Sequence, residues 1–256
     1  MENIILVSSI PLVIPFKVML YDTEIAVGKI EKNKRMKKIP FLIGLLIISG
    51  SLFAQQTVKL SFSTGPSINW MSSNKDVVSG GGVKAGYDFG LVADIYFDPS
   101  QHYAFTSGLL LTHTGGELEY HNTEPFEFAG KNIDPGNSIH YRLKYLEVPL
   151  AIKLKSGPVR RWAFWGQFGL SGFINVGAKG DTTDKEILDK TDIKDEIKAM
   201  NVAVNVGVGG DFDLGADIAL SIGIIFKDGL TDVTKTHINE GRTTVNSVNF
   251  KIGVIF

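Results

Sequence analysis

Apolar residues alternate with small or polar ones, position by position, through eight segments of this chain. That two-residue period is the mark of extended backbone, whose successive side chains point to opposite faces. The last segment shows it best: Val248, Phe250, Ile252, Val254 and Phe256 share one parity, and Ser247, Asn249, Lys251 and Gly253 the other. Before it, Ile218, Leu220, Ile222, Ile224 and Phe226 oppose Asp217, Ala219, Ser221 and Gly223. Val202, Val204, Val206, Val208 and Phe212 oppose Asn201, Ala203, Asn205, Gly207, Gly209 and Asp211. Trp162, Phe164, Phe168, Leu170, Ile174 and Val176 oppose Gln167, Gly169, Ser171 and Asn175, with Trp165 and Phe173 as bulky exceptions on the small-residue face. Leu146, Val148, Leu150, Ile152 and Leu154 oppose Tyr145, Glu147, Pro149, Ala151 and Lys153. Three further strands are expected over Val58 to Gly65, Val83 to Phe97 and Tyr103 to His113. Pro149 lacks a ladder donor, which predicts a bulge or an unpaired amide there.

The charged strand residues Lys59, Lys84, Asp88, Asp94, Glu147, Lys153, Asp211, Asp217 and Lys251 all keep to the small-residue parity. A lysine or arginine facing lipid costs about 2 to 4 kcal/mol at the bilayer midplane. Charges on one face only therefore argue that the apolar face meets lipid and the other face lines a crowded lumen. The opposite reading is a soluble, lipocalin-like barrel with its apolar face around a ligand. Strands of this length, at roughly 3.3 Å per residue and a tilt near 40°, span an apolar band of about 25 Å.

The connections differ in length. Asp98 to His102, Lys155 to Arg160 and Asp213 to Gly215 are tight; Ser67 to Gly82, Thr114 to Ser138, Lys179 to Lys198 and Lys227 to Arg242 are long and polar. An even strand number with short turns on one rim and four long loops on the other predicts an all-β fold, an eight-stranded antiparallel up-and-down transmembrane β-barrel in the outer membrane. Trp70, Phe97, Tyr103, Trp162, Phe212 and Phe256 fall near strand ends, where aromatic girdles belong. The third loop carries Ile187, Leu188, Ile193 and Ile197 at partial helical spacing, which predicts a short surface helix that caps the barrel, meets a partner or is simply solvated.

Ahead of the strands, Met36-Lys37-Lys38, the apolar run Ile39 to Phe53 and small residues up to Ala54 form a signal-peptide layout with cleavage expected after Ala54. Residues 1–35 then read as an N-terminal extension, 36–54 as the signal peptide and 55–256 as the barrel; a longer uncleaved anchor using Ile4 to Phe16 is the alternative. Residues 1–54 hold seven basic and four acidic residues of the chain's 26 and 27, so the remainder has 19 against 23, a formal charge of -4. That balance excludes the basic stripe needed for nucleic-acid binding, and the absence of cysteine excludes thiolate chemistry.

Neither Gly-x-Ser-x-Gly, His-Glu-x-x-His nor a phosphate-binding glycine loop occurs, which points away from an enzyme and implies no cofactor. Two constellations remain. The inward charges Lys84, Asp88, Asp94, Glu147, Lys153, Asp211, Asp217 and Lys251 predict a lumenal network that plugs the barrel or forms an ion path. His113, Glu117, Glu119, His121, Glu124, Glu127 and His140 could hold a divalent cation, with a solvated acidic loop as the simpler reading.

Tyr145-Leu146-Glu147-Val148-Pro149-Leu150 with Lys153, the Gly65-Pro66 step, the Phe226-Lys227-Asp228-Gly229-Leu230-Thr231-Asp232 turn and the closing Phe256 together resemble the PorT-like outer-membrane β-barrel family over residues 55–256. The resemblance implies a non-enzymatic barrel surrounded by outer-membrane lipid, assembled through its C-terminal strand ending at Phe256, with one branch of the family tied to protein secretion. A role in envelope structure, secretion-associated assembly or adhesion follows as the expectation. A narrow channel or small-solute transporter is the alternative.

Overall fold

A computed structural model describes residues 57–74, 76–183, 187–235 and 241–256. The expected extension and signal peptide, residues 1–54, lie outside the described residues. Eight long strands run β1 (Val58–Ser73), β2 (Val78–Tyr96), β3 (Tyr103–Tyr120), β4 (Ser138–Lys155), β5 (Trp162–Thr182), β6 (Met200–Gly215), β7 (Ile218–Gly229) and β8 (Thr243–Ile255). Each pairs antiparallel with its sequence neighbour, and β1 closes the ring on β8, with Ser61 opposite Ile255 and Ser73 opposite Thr243. Closure leaves no edge strand unpaired, the condition for crossing a bilayer with strands.

Burial follows the parity. Phe62, Leu91, Leu109, Leu150, Phe168, Val208, Ile222 and Ile252 are exposed on the outer wall. Ser61, Asp94, Glu147, Lys153, Ser171, Asn205 and Lys251 are buried inside. An outer wall of large apolar side chains around a charged interior is the reverse of a soluble ligand-binding barrel. The chain has no cysteine of its own, so single cysteines at Leu220 and Ser221 give a clean test: a lipid-soluble maleimide marks the first and spares the buried second. Equal labelling would reject the assignment of faces.

Three tight turns sit on one rim. The Asp98 carboxylate accepts from the His102 and Tyr103 amides at 2.9–3.0 Å. Val159 bridges to Trp162. The third turn lies one to two residues later than expected, at Ala216 and Asp217, both at positive φ as a two-residue hairpin of this hand requires. That shift puts Asp217 exposed in the turn, outside the lumen that parity assigned it. Phe97, Tyr103, Trp162 and Phe256 are exposed beside this rim, and Trp162 packs on Phe212 at 5.1 Å. Trp70 stacks on Phe226 at 6.2 Å toward the other end.

At the opposite rim the strands outrun expectation. Residues 67–82 are not a long loop: β1 continues to Ser73 and β2 begins at Val78. An 18-residue strand such as β4 rises about 45 Å along the axis, well beyond an apolar band of about 25 Å. Above the band the outer face no longer needs apolar residues, so outward Ser, Gly and Glu, with Ser67 and Asn69 inside, give a loop-like composition to what is strand. At Pro149 the β3 ladder lapses between Ser107–Leu150 and Leu110–Glu147, while pairing to β5 continues through Pro149–Ser171. The amide is locally unpaired, and the unchanged register shows no bulge.

Candidate functional site

The interior has two storeys. In the lower one, four carboxylates (Asp88, Asp94, Glu147, Asp211) face four lysines (Lys153, Lys155, Lys227, Lys251). Lys153 Nζ meets Asp94 at 2.7 Å, and Thr106 Oγ1 donates to the same carboxylate at 2.6 Å. Lys155 reaches Asp211 at 2.6 Å. Lys227 Nζ lies 2.7 Å from Glu147 and 3.9 Å from Asp88. Glu147 also accepts from Thr112 and Ser171 at 2.8 and 3.0 Å, and Asn249 donates to Asp88 at 2.6 Å. Lys251 has no carboxylate in contact; it and Lys153 lie over the Trp165 ring at 5.3 and 5.0 Å. Equal numbers of both signs, held by short charge-assisted bonds, fill the small bore of an eight-stranded barrel.

The upper storey is apolar. Met71, Leu118, Tyr120, Ile139, Tyr141, Leu143, Tyr145 and Ala178 point inward from the strand extensions. Two loops fold into the mouth and complete this cluster. Loop 121–137 carries a small hairpin, Phe126–Phe128 paired with Lys131–Ile133, that buries Phe128 and Ile133 completely. The third loop, whose residues 184–186 fall outside the described set, inserts Leu188, Ile193 and Ile197. The predicted surface helix is reduced to a three-residue 3-10 turn at Lys194–Glu196. Its apolar stripe is satisfied by the barrel mouth instead of by a helix face, so capping was the correct alternative. The Tyr120 and Tyr141 hydroxyls meet at 2.6 Å, which removes two polar groups from an otherwise dry core.

Residues 53–235 match the family model of the outer membrane protein beta-barrel domain. The chain belongs to that family. This outer-membrane barrel is similar in fold to Neisserial surface protein A, at 12% identity and TM-score 0.45 over 77% of this chain and 95% of the other. It is likewise similar to Ail, the attachment invasion locus protein of Yersinia pestis (12%, TM-score 0.37, 77% and 98%). OprG of Pseudomonas aeruginosa aligns at 11% with TM-score 0.38, covering 78% and 97%. No curated protein matches the chain in sequence.

Of the residues expected in the lumen of the outer-membrane barrel, Asp88, Asp94, Glu147, Lys153, Asp211 and Lys251 are there. Lys84 is not: its ammonium reaches the Tyr141 carbonyl at 3.4 Å and lines a groove on the outer wall with Arg142 and Lys144. Its backbone keeps register with Asn69 on β1, and the β2–β3 ladder beside it lapses between Gly82 and Tyr87, which opens a way out for the side chain. Besides Lys155, read as the start of a tight turn, Lys227 is the network member the sequence reading missed. It lies one residue past the expected end of its strand, yet on the inward parity of Ser221 and Gly223, so carrying the alternation one step further finds it.

The histidines do not converge. His113 stacks on Tyr87 at 4.3 Å, His140 pairs with Glu117 at 3.4 Å, and His121 meets Ser79 at 2.9 Å and Glu119 at 3.8 Å. Among the described residues no group of three or more His, Cys, Asp or Glu side chains could hold a metal ion.

Proposed function

We propose that this protein is a closed, non-enzymatic outer-membrane barrel whose work is done on its outer surface, as a rigid platform for an envelope or secretion partner. The observation that carries this reading is the plug formed at the mouth by the described residues: loop 121–137 and residues 187–199 are anchored through Phe128, Ile133, Leu188, Ile193 and Ile197 into an apolar cluster standing on a charge-balanced layer. A transported solute would have to dissolve that plug and then break paired charges. Fixed loops on strand extensions instead present a preorganised surface, which lowers the ordering cost of binding a partner.

The finer assignment, to the PorT-like group with its secretion-associated branch, draws support from the residues of Tyr145 to Leu150. Leu146, Val148 and Leu150 face outward; Tyr145 floors the plug, with its hydroxyl 3.2 Å from the Asn201 amide; Glu147 holds the network; Pro149 interrupts one ladder. Each position of the motif has a separate structural reason, so its presence as a unit is informative.

The pure refolded barrel in planar bilayers gives no discrete conductance steps, and mild crosslinking in native membranes recovers a stable partner through the two plug-anchored loops. Discrete single-channel openings would instead establish the narrow channel or small-solute transporter and overturn the platform reading.

A further inference from the structure

Above the apolar belt the outer wall becomes cationic across three adjacent strands. On β3, β4 and β5 the outward parity is apolar up to Leu111, Leu146 and Val176 and then turns to His113, Lys144 with Arg142, and Lys179. The register makes these neighbours: His113 is opposite Lys144, and Arg142 is opposite Lys179. Lys84 arrives from β2 through the lapse in its ladder, and Lys190 folds down from the third loop. Together they line an open groove of about 470 Å³ in which five cations, Lys84, Arg142, Lys144, Lys179 and Lys190, meet one lining carboxylate, Asp192. Asp181 sits in the adjoining hollow and holds the Arg142 guanidinium at 2.7 Å, which fixes its fork beside the groove. On the next strands round, the corresponding outward positions of β6 and β7 include Met200 and Asp228, and Lys198 is already paired with Asp232 at 3.2 Å.

We propose that this groove binds the phosphate-bearing headgroup of an outer-leaflet lipid. Three features select that occupant. The cations begin where the lipid-facing stripe of Leu146, Val148, Ile174 and Val176 ends, so a headgroup in the groove has its acyl chains laid along apolar wall. Five cations against three nearby carboxylates, Asp192 in the lining and Asp181 and Glu117 beside it, leave an excess of positive charge that a counter-anion of more than one charge offsets. A guanidinium already oriented by a carboxylate, with lysines around it, suits the tetrahedral face of a phosphate. A protein partner would leave the apolar stripe below the groove unused, whereas a lipid uses both.

The test is native mass spectrometry of the full folded barrel released from neutral-detergent micelles doped with diphosphoryl lipid A, its dephosphorylated form, or inorganic phosphate. The wild type retains the diphosphorylated lipid, and the triple variant Arg142→Gln, Lys144→Gln, Lys179→Gln retains it about tenfold less or weaker still. Arg142→Gln also removes the partner of the buried Asp181. The double variant Lys144→Gln, Lys179→Gln keeps that pair intact, shows the heat-shifted gel band of the wild type and still retains less of the lipid, which excludes a folding defect. Lys198→Gln, outside the groove lining and already paired with Asp232, leaves retention unchanged. Equal retention of the dephosphorylated lipid, displacement by inorganic phosphate at matched concentration, or undiminished retention by the triple variant would each overturn the proposal.

Discussion

Replacing Glu147 by leucine lowers the stability of the folded barrel by about 3 kcal/mol, the lower end of what removing one partner of a buried ion pair costs. Glu147 is 1% exposed and is the hub of its layer: Lys227 binds it at 2.7 Å, and Thr112 and Ser171 donate to it. Without the carboxylate, the buried Lys227 ammonium keeps only Asp88, 3.9 Å away, and two hydroxyls lose their acceptor. That residual partner is why the loss falls at the low end. Adding Lys227→Met to Glu147→Leu recovers most of the deficit, because an apolar pair of similar volume replaces an ion pair at little net cost, whereas an orphaned charge does not. The readout is the temperature at which the compact, unheated gel band converts to the unfolded one. An unshifted conversion temperature for Glu147→Leu, or a double variant no better than the single, would remove the network from any account of stability.

The strand pattern was legible because lipid enforces it. A residue facing the belt must be apolar and one facing the bore must be small or paired, so the period of two survives in Leu146 to Leu154 and in Val248 to Phe256 without help from neighbouring strands. Where that pressure stops, legibility stops. In Ser67 to Ser73 and Val78 to Gly82 polar residues fall on both faces, Ser67 and Asn69 buried in the bore and Ser72 and Ser79 on the outward parity, and the segments read as loop. Lys84 and Asp217 kept the inward parity and still ended outside the bore. A lapse in one ladder lets the Lys84 side chain leave the bore and a two-residue turn at Ala216 and Asp217 ends the strand before Asp217 can face inward, and neither leaves a mark in a single sequence. The plug was half visible: Ile187, Leu188, Ile193 and Ile197 announced an apolar surface, but the identity of the surface that covers it is a tertiary fact. The groove of Arg142, Lys144 and Lys179 was hidden for the same reason, since the three residues become neighbours only through the register of β4 on β5.

Register also explains the two aromatic exceptions on the small-residue face, and one of them sets the most damaging substitution expected here. Phe173 packs edge-on against Tyr145 at 5.7 Å, below the plug. Trp165 is opposite Gly209, Gly209 is opposite Gly223, and Gly223 is opposite Lys251, so one row around the barrel reads aromatic, glycine, glycine, lysine. The indole lies over both glycines. A Cβ at Gly223 would stand 2.5 and 2.6 Å from two Trp165 ring carbons and 2.7 Å from the Val208 carbonyl. Gly223→Val therefore loses the folded band altogether, because overpacking of about 3 kcal/mol or more is added where both a rigid ring and backbone stand in the way. Gly172→Val, on the outward face of β5 with only the Val148 carbonyl at 3.9 Å, folds normally and excludes a general intolerance of β-branched residues. Adding Trp165→Leu to Gly223→Val restores part of the folded fraction and no more, since the ring overlap disappears while the approach to the Val208 carbonyl persists. Full folding of Gly223→Val alone would mean that the indole does not lie across the glycine row. The ammonium groups of Lys153 and Lys251 rest on that same ring, so the charged layer of the lumen would then need a different floor.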